Sequence, residues 1–198
     1  MTILLISGSP THPSSSGRLL QHIGERLAVL GHPYGRLHVR DLPPQAVLLG
    51  QADEPAIRRA LDAVAAADAV VIATPVYKAS FTGLLKTFLD LLPQDGLADK
   101  VVLPLATGGS QSHLLALDYA LRPVLQALEA KHVLASIFAT SQQLQWSEEQ
   151  GLVLAPPIAA RVDAGVRGLA EALVSRETGR RAPGGIEAVQ VPVLDRSA

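Results

Sequence analysis

The chain has 198 residues, 48% of them hydrophobic and 18% charged, with a formal net charge of -1. That is enough for one domain with a well-buried core and too little for two ordinary ones, and it excludes a disordered chain and a broad basic field for gripping nucleic acid. The absence of cysteine excludes disulfides, thiolate nucleophiles and cysteine-held zinc or iron-sulfur centres, so redox chemistry would fall to an organic cofactor or a histidine and carboxylate metal site.

The amino terminus runs Met1-Thr2-Ile3-Leu4-Leu5-Ile6 into Ser7-Gly8-Ser9-Pro10, without the basic start, long apolar run or cleavage site of a signal peptide. No stretch has the length of a membrane span, and the cytoplasm is the expected location. Ile3 to Ile6 is a short continuous apolar run, the pattern of a strand buried on both faces of a parallel sheet. Arg18 to Leu30 carries Leu19, Leu20, Ile23, Leu27 and Leu30 at helical spacing and stops at Gly31.

Leu37 to Val39 reads as a weaker second strand, and Asp53 as the cap of a helix from Glu54 to about Ala67. Ala69 to Ala73 is the third strand, Phe81 to Leu92 the third helix and Val101 to Ala106 the fourth strand. His113 to Ala130 reads as a long fourth helix that Pro123 should kink, because proline lacks the amide and its ring clashes with the preceding turn. Val133 to Ala139 is the fifth strand, and Pro157 to Ser175 the fifth helix, with Ile158, Val162, Val166, Leu169 and Leu173 on one face.

Five strands alternating with five helices predict an α/β fold with a doubly wound parallel sheet, of flavodoxin-like or Rossmann-like order. Residues 1–175 form that domain. Ser141 to Ala155 is a polar excursion holding the one tryptophan, Trp146, and Arg176 to Ala198 reads as a loosely ordered tail with a short apolar patch at Val189 to Leu194.

Ligands of open parallel sheets sit outside the carboxyl ends of the strands, where the strand order reverses. Three loops occupy such ends. Ser7 to Gly17 follows the first strand, is dense in hydroxyls and leads into a helix amino terminus, whose free amides and dipole suit an anion. It has neither GxGxxG nor GxxxxGK[ST], which points to a monophosphate such as FMN over a pyrophosphate. Thr74-Pro75-Val76-Tyr77-Lys78-Ala79-Ser80 follows the third strand, where the proline should end the ladder and leave the next amides free for a ring's heteroatoms. Thr107-Gly108-Gly109-Ser110-Gln111-Ser112-His113 follows the fourth, with glycines that admit a flat ligand and Ser112 as a helix cap. Each loop alone also reads as an ordinary turn, and His113 as polar surface. Their shared position carries the signal, and no comparable polar cluster follows strand two.

With these loops placed, the sequence resembles the NADPH-dependent FMN reductases, in particular the flavin reductase components of two-component alkanesulfonate monooxygenase systems. The resemblance covers roughly Ile3 to Arg176 and is most specific at Ala73 to Ala79, Leu84 to Pro93, Val101 to Gly109 and His113 to Leu121. It implies a flavodoxin-like five-stranded sheet of order 2-1-3-4-5, helices on both faces, and FMN and NADPH as ligands. It implies FMN phosphate at Ser9, Ser14, Ser16 and Gly17, and the isoalloxazine against Pro75, Val76, Tyr77 and Lys78 and against Thr107, Gly108 and Gly109. Hydride transfer by stacking needs no catalytic base and no metal.

The resemblance also implies a homotetramer with a bulged fourth helix at Tyr119, and a flavin-dependent monooxygenase as recipient of reduced FMN. His113 and Tyr119 are candidate nicotinamide or interface contacts. One departure is Thr11, where the family commonly carries arginine, with Arg18 as the nearest replacement. The same site would serve two other roles: a reductase with resident FMN acting on quinones, azo compounds or metal oxyanions, and a flavodoxin-type electron carrier. The near-neutral charge and few aromatics count against the carrier.

Overall fold

The computed structural model describes residues 1–181. Strand β1 (Ile3–Ser7) is buried along its whole length, and helix α1 (Ser15–Val29) follows it. The second strand, β2 (Tyr34–His38), starts three residues before the sequence pattern placed it. As the sheet's edge strand it alternates between faces and is half exposed, so it never shows a continuous apolar run. A short helix α2 (Pro44–Leu48) and helix α3 (Pro55–Ala66) come next; Glu54, not Asp53, caps α3, accepting from the Ala56 and Ile57 amides at 2.7 and 2.9 Å.

Strand β3 (Ala69–Tyr77) runs four residues past its expected end at Ala73 and turns back into the two-residue strand β4 (Ser80–Phe81). Pro75 therefore does not end the ladder. It stays paired with Thr107, while Val76 and Tyr77 pair with Phe81 and Ser80, so their backbone is held by a hairpin. Phe81 is a strand residue, and helix α4 (Gly83–Leu89) is shorter than expected at both ends.

Strand β5 (Val101–Gly108) leads into a segment expected as one helix. It is instead a 3₁₀ turn at Gln111–Leu114 capped by Ser110 (Ser112 is not the cap), a π-helical turn at Leu117–Leu121, and helix α5 (Arg122–Ala127) with Pro123 in its first turn. Proline is tolerated there because first-turn amides have no intrahelical partner. The expected fifth strand is split into β6 (His132–Val133) and β7 (Ile137–Thr140), both beside β5. The polar excursion is a hairpin of β8 (Leu144–Ser147) and β9 (Gly151–Leu154). Helix α6 (Pro156–Arg181) extends past Ser175, and the remaining tail with its patch at 189–194 lies outside the described residues.

The parallel sheet runs β2-β1-β3-β5, closed at the far edge by β6 and β7. With the short β4 set aside this is the 2-1-3-4-5 order of a flavodoxin-like fold, and the order reverses between β1 and β3. On one face Ile3, Leu5, Val71, Leu103 and Leu105 pack against α1 and α6 through Leu19, Ile23, Val162 and Leu169. On the other, Leu4, Ile6, Val70, Ile72 and Val102 meet Ile57, Leu85, Phe88 and Leu125. A side chain at Gly24 would meet Leu5 Cδ1 at 2.5 Å, so α1 lies against the sheet only because that position is glycine. Arg26 joins α1 to Asp163 of α6 at 2.7 Å.

Candidate functional site

The loop between β1 and α1 folds on itself through its own hydroxyls. Buried Ser9 donates to the Thr11 carbonyl at 3.2 Å and accepts from the Thr11 amide at 3.3 Å. Ser14 caps α1, its Oγ accepting from the Gly17 amide at 3.1 Å, while the Arg18 amide donates to the Ser14 carbonyl at 2.9 Å. The Ser15 and Ser16 amides are first-turn groups that no intrahelical carbonyl can reach. A hydroxyl that accepts one bond still has its proton, so Ser14 remains a donor. Buried Ser16 has a hydroxyl with no hydrogen-bond partner among the described residues.

Thr82 joins this loop to the next strand end. Its hydroxyl donates to the Gly8 carbonyl at 2.6 Å and accepts from the Leu85 amide at 3.2 Å, and its own amide donates to Thr74 Oγ1 at 3.2 Å. A Cβ on Gly8 would stand 2.7 Å from Leu85 Cβ, so α4 presses directly on the loop. The β3–β4 turn is made by Lys78 and Ala79, both with positive φ, at 49° and 64°. Gly108 lies against Phe138 and His113, where a Cβ would come within 3.1 and 3.2 Å.

These pieces enclose a cavity of about 370 Å³ over the β1, β3 and β5 ends. Of the residues expected at a flavin site, Ser9, Ser14, Pro75, Val76, Tyr77, Thr107, Gly108 and Gly109 line it. Ser16, Gly17 and Lys78 do not: Ser16 is buried, Gly17 faces a neighbouring cavity, and Lys78 forms the turn beside Tyr77. His113 and Tyr119 also stand off the wall; the buried Nδ1 of His113 has no hydrogen-bond partner among the described residues, and Tyr119 is 79% exposed on the π-helical turn.

The sequence reading missed Pro13, Ser15 and Ser141 as wall residues. Ser141 follows β7 as the other loops follow their strands, which was the available signal. Arg18 lies with its guanidinium 4.0 Å from the Trp146 ring centroid. A second cavity of about 560 Å³ opens on the other side of the loop, where Arg36, His38 and Arg40 of the β2 end stand opposite α1 and the hairpin. A polar cluster therefore does follow strand two, hidden in the sequence by the misplaced strand. Among the described residues no group of three histidine, aspartate or glutamate side chains is arranged to hold a metal ion, and no helix is long and apolar enough to cross a membrane.

A doubly wound sheet with a hydroxyl-rich anion cradle at its switch point defines a flavodoxin-like nucleotide-binding protein. Residues 1–145 match the NADPH-dependent FMN reductase family, and the chain belongs to it. It is 47% identical to an FMN reductase (NADPH) of Pseudomonas putida over 148 residues, which is 75% of this chain and 75% of that protein. Identity to an FMN reductase (NADPH) of Escherichia coli is 44% over 144 residues, covering 73% and 75% of the two chains. Among solved structures it is similar to an NADH:FMN oxidoreductase in apo form, at 40% identity and a TM-score of 0.78, covering 85% of this chain and 87% of that one. The Ser14 hydroxyl and the first-turn Ser15 amide on the wall, the adjoining orphaned hydroxyl of Ser16, and a cavity reaching from Ser14 and Ser15 to Gly109 fit a flavin mononucleotide.

Proposed function

We propose that this protein uses NADPH to reduce free FMN and hands the reduced flavin to a flavin-dependent monooxygenase that acts on sulfonates. The observation that carries the reading is the cavity itself, which runs from the hydroxyls of Ser9, Ser14 and Ser15 to the β3 and β5 ends at Tyr77 and Gly109. Ser14 and the Ser15 amide hold the phosphate, with Ser9 shaping the loop. Pro75, Val76 and Tyr77 and, beside them on the neighbouring strand, Thr107, Gly108 and Gly109 meet the ring system.

The chemistry the bound flavin supplies is acceptance of a hydride at N5 from nicotinamide C4, with no protein nucleophile or metal. This chain's residues orient the two rings and exclude water from the contact. Flavin as a visitor fits the loop's chemistry: Thr11 is neutral, and the nearest cation, Arg18, is stacked on Trp146. A guanidinium so engaged adds little to phosphate affinity, which suits a protein that releases its product.

The experiment is steady-state oxidation of NADPH by purified protein with and without added FMN, together with gel filtration to see whether yellow colour stays with the protein. Activity that depends on added FMN supports the reading. Full activity without it assigns the flavin as resident and transfers the protein to the quinone, azo or oxyanion reductases. The setting is the cytoplasm, where NADPH is regenerated. The assembly is a homotetramer built on the π-helical turn and the residues just before it, where Tyr119 and Leu115 leave 79% and 56% of their surface exposed. Light scattering on the full chain tests it, and a monomer at micromolar concentration rules it out.

A further inference from the structure

The second cavity shares a wall with the flavin site. Thr11, Pro13, Ser14 and Arg18 line both, so only the phosphate loop stands between them. Its volume of about 560 Å³ is that of a small-ligand pocket, far more than a lone anion needs. Its wall combines two kinds of surface. One is flat, formed by Leu152 and by the Trp146 indole with the Arg18 guanidinium lying over it. The other is cationic, formed by Arg36 and Arg40 at the end of β2.

The cations are not used up internally. Arg36 donates to Gln21 Oε1 at 3.0 Å, and neither it nor Arg18 forms an ion pair among the described residues. Arg40 is paired with Asp41 at 3.3 Å, and Glu25 is the one acid on the wall, where it accepts from Gln21 at 2.8 Å. Two guanidinium groups without an ion-pair partner among the described residues, against one carboxylate, leave the cavity positive. Other arginines of α1 and α5 are occupied: Arg26 by Asp163 and Arg122 by Asp118.

A planar stacking surface beside forked cations is the chemistry that recognises a purine joined to a phosphorylated ribose. We infer that this cavity is the subsite for the phosphorylated adenosine of a dinucleotide, with Arg36 as the main phosphate ligand and the Arg18–Trp146 stack as the platform for adenine. It rests on the reading that the chain oxidises a nicotinamide dinucleotide at the adjoining site, and it makes Arg36 the residue that separates NADPH from NADH. Two dinucleotides carry such an adenosine: NADPH, with a 2′-phosphate, and FAD, whose adenylate continues from the flavin phosphate.

The test is calorimetric titration of the flavin-free full chain with 2′,5′-ADP and with 5′-ADP, on the wild type, Arg36→Gln, Arg40→Gln and Arg59→Gln. Arg59 is exposed on α3, across the sheet, and serves as the charge control. The expected result is that 2′,5′-ADP binds more tightly than 5′-ADP and that Arg36→Gln weakens it about tenfold, the loss of one charge-assisted contact, while Arg59→Gln does not. In turnover, KM for NADPH then rises by about the same factor in Arg36→Gln, with KM for NADH unmoved. Equal binding of both probes, with Arg36→Gln raising KM for FAD and leaving KM for FMN and NADPH alone, assigns the same subsite to the flavin dinucleotide. Absence of binding by either probe, or binding unchanged in both Arg36→Gln and Arg40→Gln, overturns the inference. A wild type that oxidises neither nucleotide in the presence of FMN sinks the enzymatic reading instead, and the titration still decides the cavity.

Discussion

The Thr82 hydroxyl donates to the Gly8 carbonyl at 2.6 Å, so the residue that caps α4 also fastens the loop after β1. Thr82 is buried, and its hydroxyl serves the Leu85 amide as well. Thr82→Val keeps the shape and removes both bonds, leaving the Gly8 carbonyl unpaired. The expected loss is about 2–3 kcal/mol, from one cap and one orphaned buried acceptor, read from urea denaturation. KM for FMN should rise too, because the loop loses its tie to the β3 side of the cavity.

Ser16→Ala should separate stability from binding. The Ser16 hydroxyl is buried without a partner, so its removal from the flavin-free protein should be neutral or stabilising by up to about 1 kcal/mol. Affinity for FMN, followed by flavin fluorescence, should fall roughly tenfold if that hydroxyl meets the phosphate. Unchanged affinity would remove Ser16 from the cradle.

The β3–β4 turn carries backbone strain, with Lys78 and Ala79 both in the left-handed region. Two-residue hairpins of this kind favour glycine or asparagine, since a Cβ there crowds the neighbouring carbonyl. Ala79→Gly should raise stability by about 1 kcal/mol, or a melting temperature about 2–4 °C higher. No rise would mean that the turn relaxes without cost.

Two histidines of the second cavity make stability fall in acid. Burial holds both His22 and His38 below the ordinary histidine value. For His22, Arg26 adds to that effect while Glu25 and Asp163 oppose it; for His38, Asp41 opposes it while Arg40, Arg36 and His12 add. A depressed folded-state value means that the fold prefers the neutral ring. Its contribution is complete above the unfolded value of about 6.5 and is lost as pH drops through the lower folded value. Melting temperature should therefore fall as pH drops below about 6.5, and His22→Gln with His38→Gln should flatten that slope. An identical slope in the double variant counts against the assignment.

What could be read from the sequence follows burial. β1, β3 and β5 lie inside the sheet, so Ile3 to Ile6, Ala69 to Ala73 and Val101 to Ala106 are continuous apolar runs and were placed correctly. β2 is an edge strand whose Arg36 and His38 face α1 while Leu37 joins the opposite core. Its short alternation shows only Leu37 to Val39 as a weak strand, which starts three residues late and leaves Arg36 outside it, so the cationic cavity was missed. The β3–β4 hairpin was illegible because Lys78-Ala79 lacks the usual turn residues. The break in the helix after β5 was half visible. Pro123 signalled irregularity, while the π-helical turn at Tyr119 came from family resemblance and not from spacing. The loops after β1, β3 and β5 converge on one cavity as expected because topology, which the buried strands reveal, decides where they meet.

Trp146 is the chain's one tryptophan, and it carries Arg18 on its face between the two cavities. The molecule thus has a built-in optical gauge: a single indole whose emission depends on where one guanidinium rests. Filling either cavity should draw Arg18 off the ring or press it down, and the two should shift the emission differently. Titrations with FMN and with 2′,5′-ADP, read at tryptophan wavelengths and repeated in Arg18→Ala, would track each ligand's arrival without labels. A signal that survives Arg18→Ala unchanged would place its origin elsewhere.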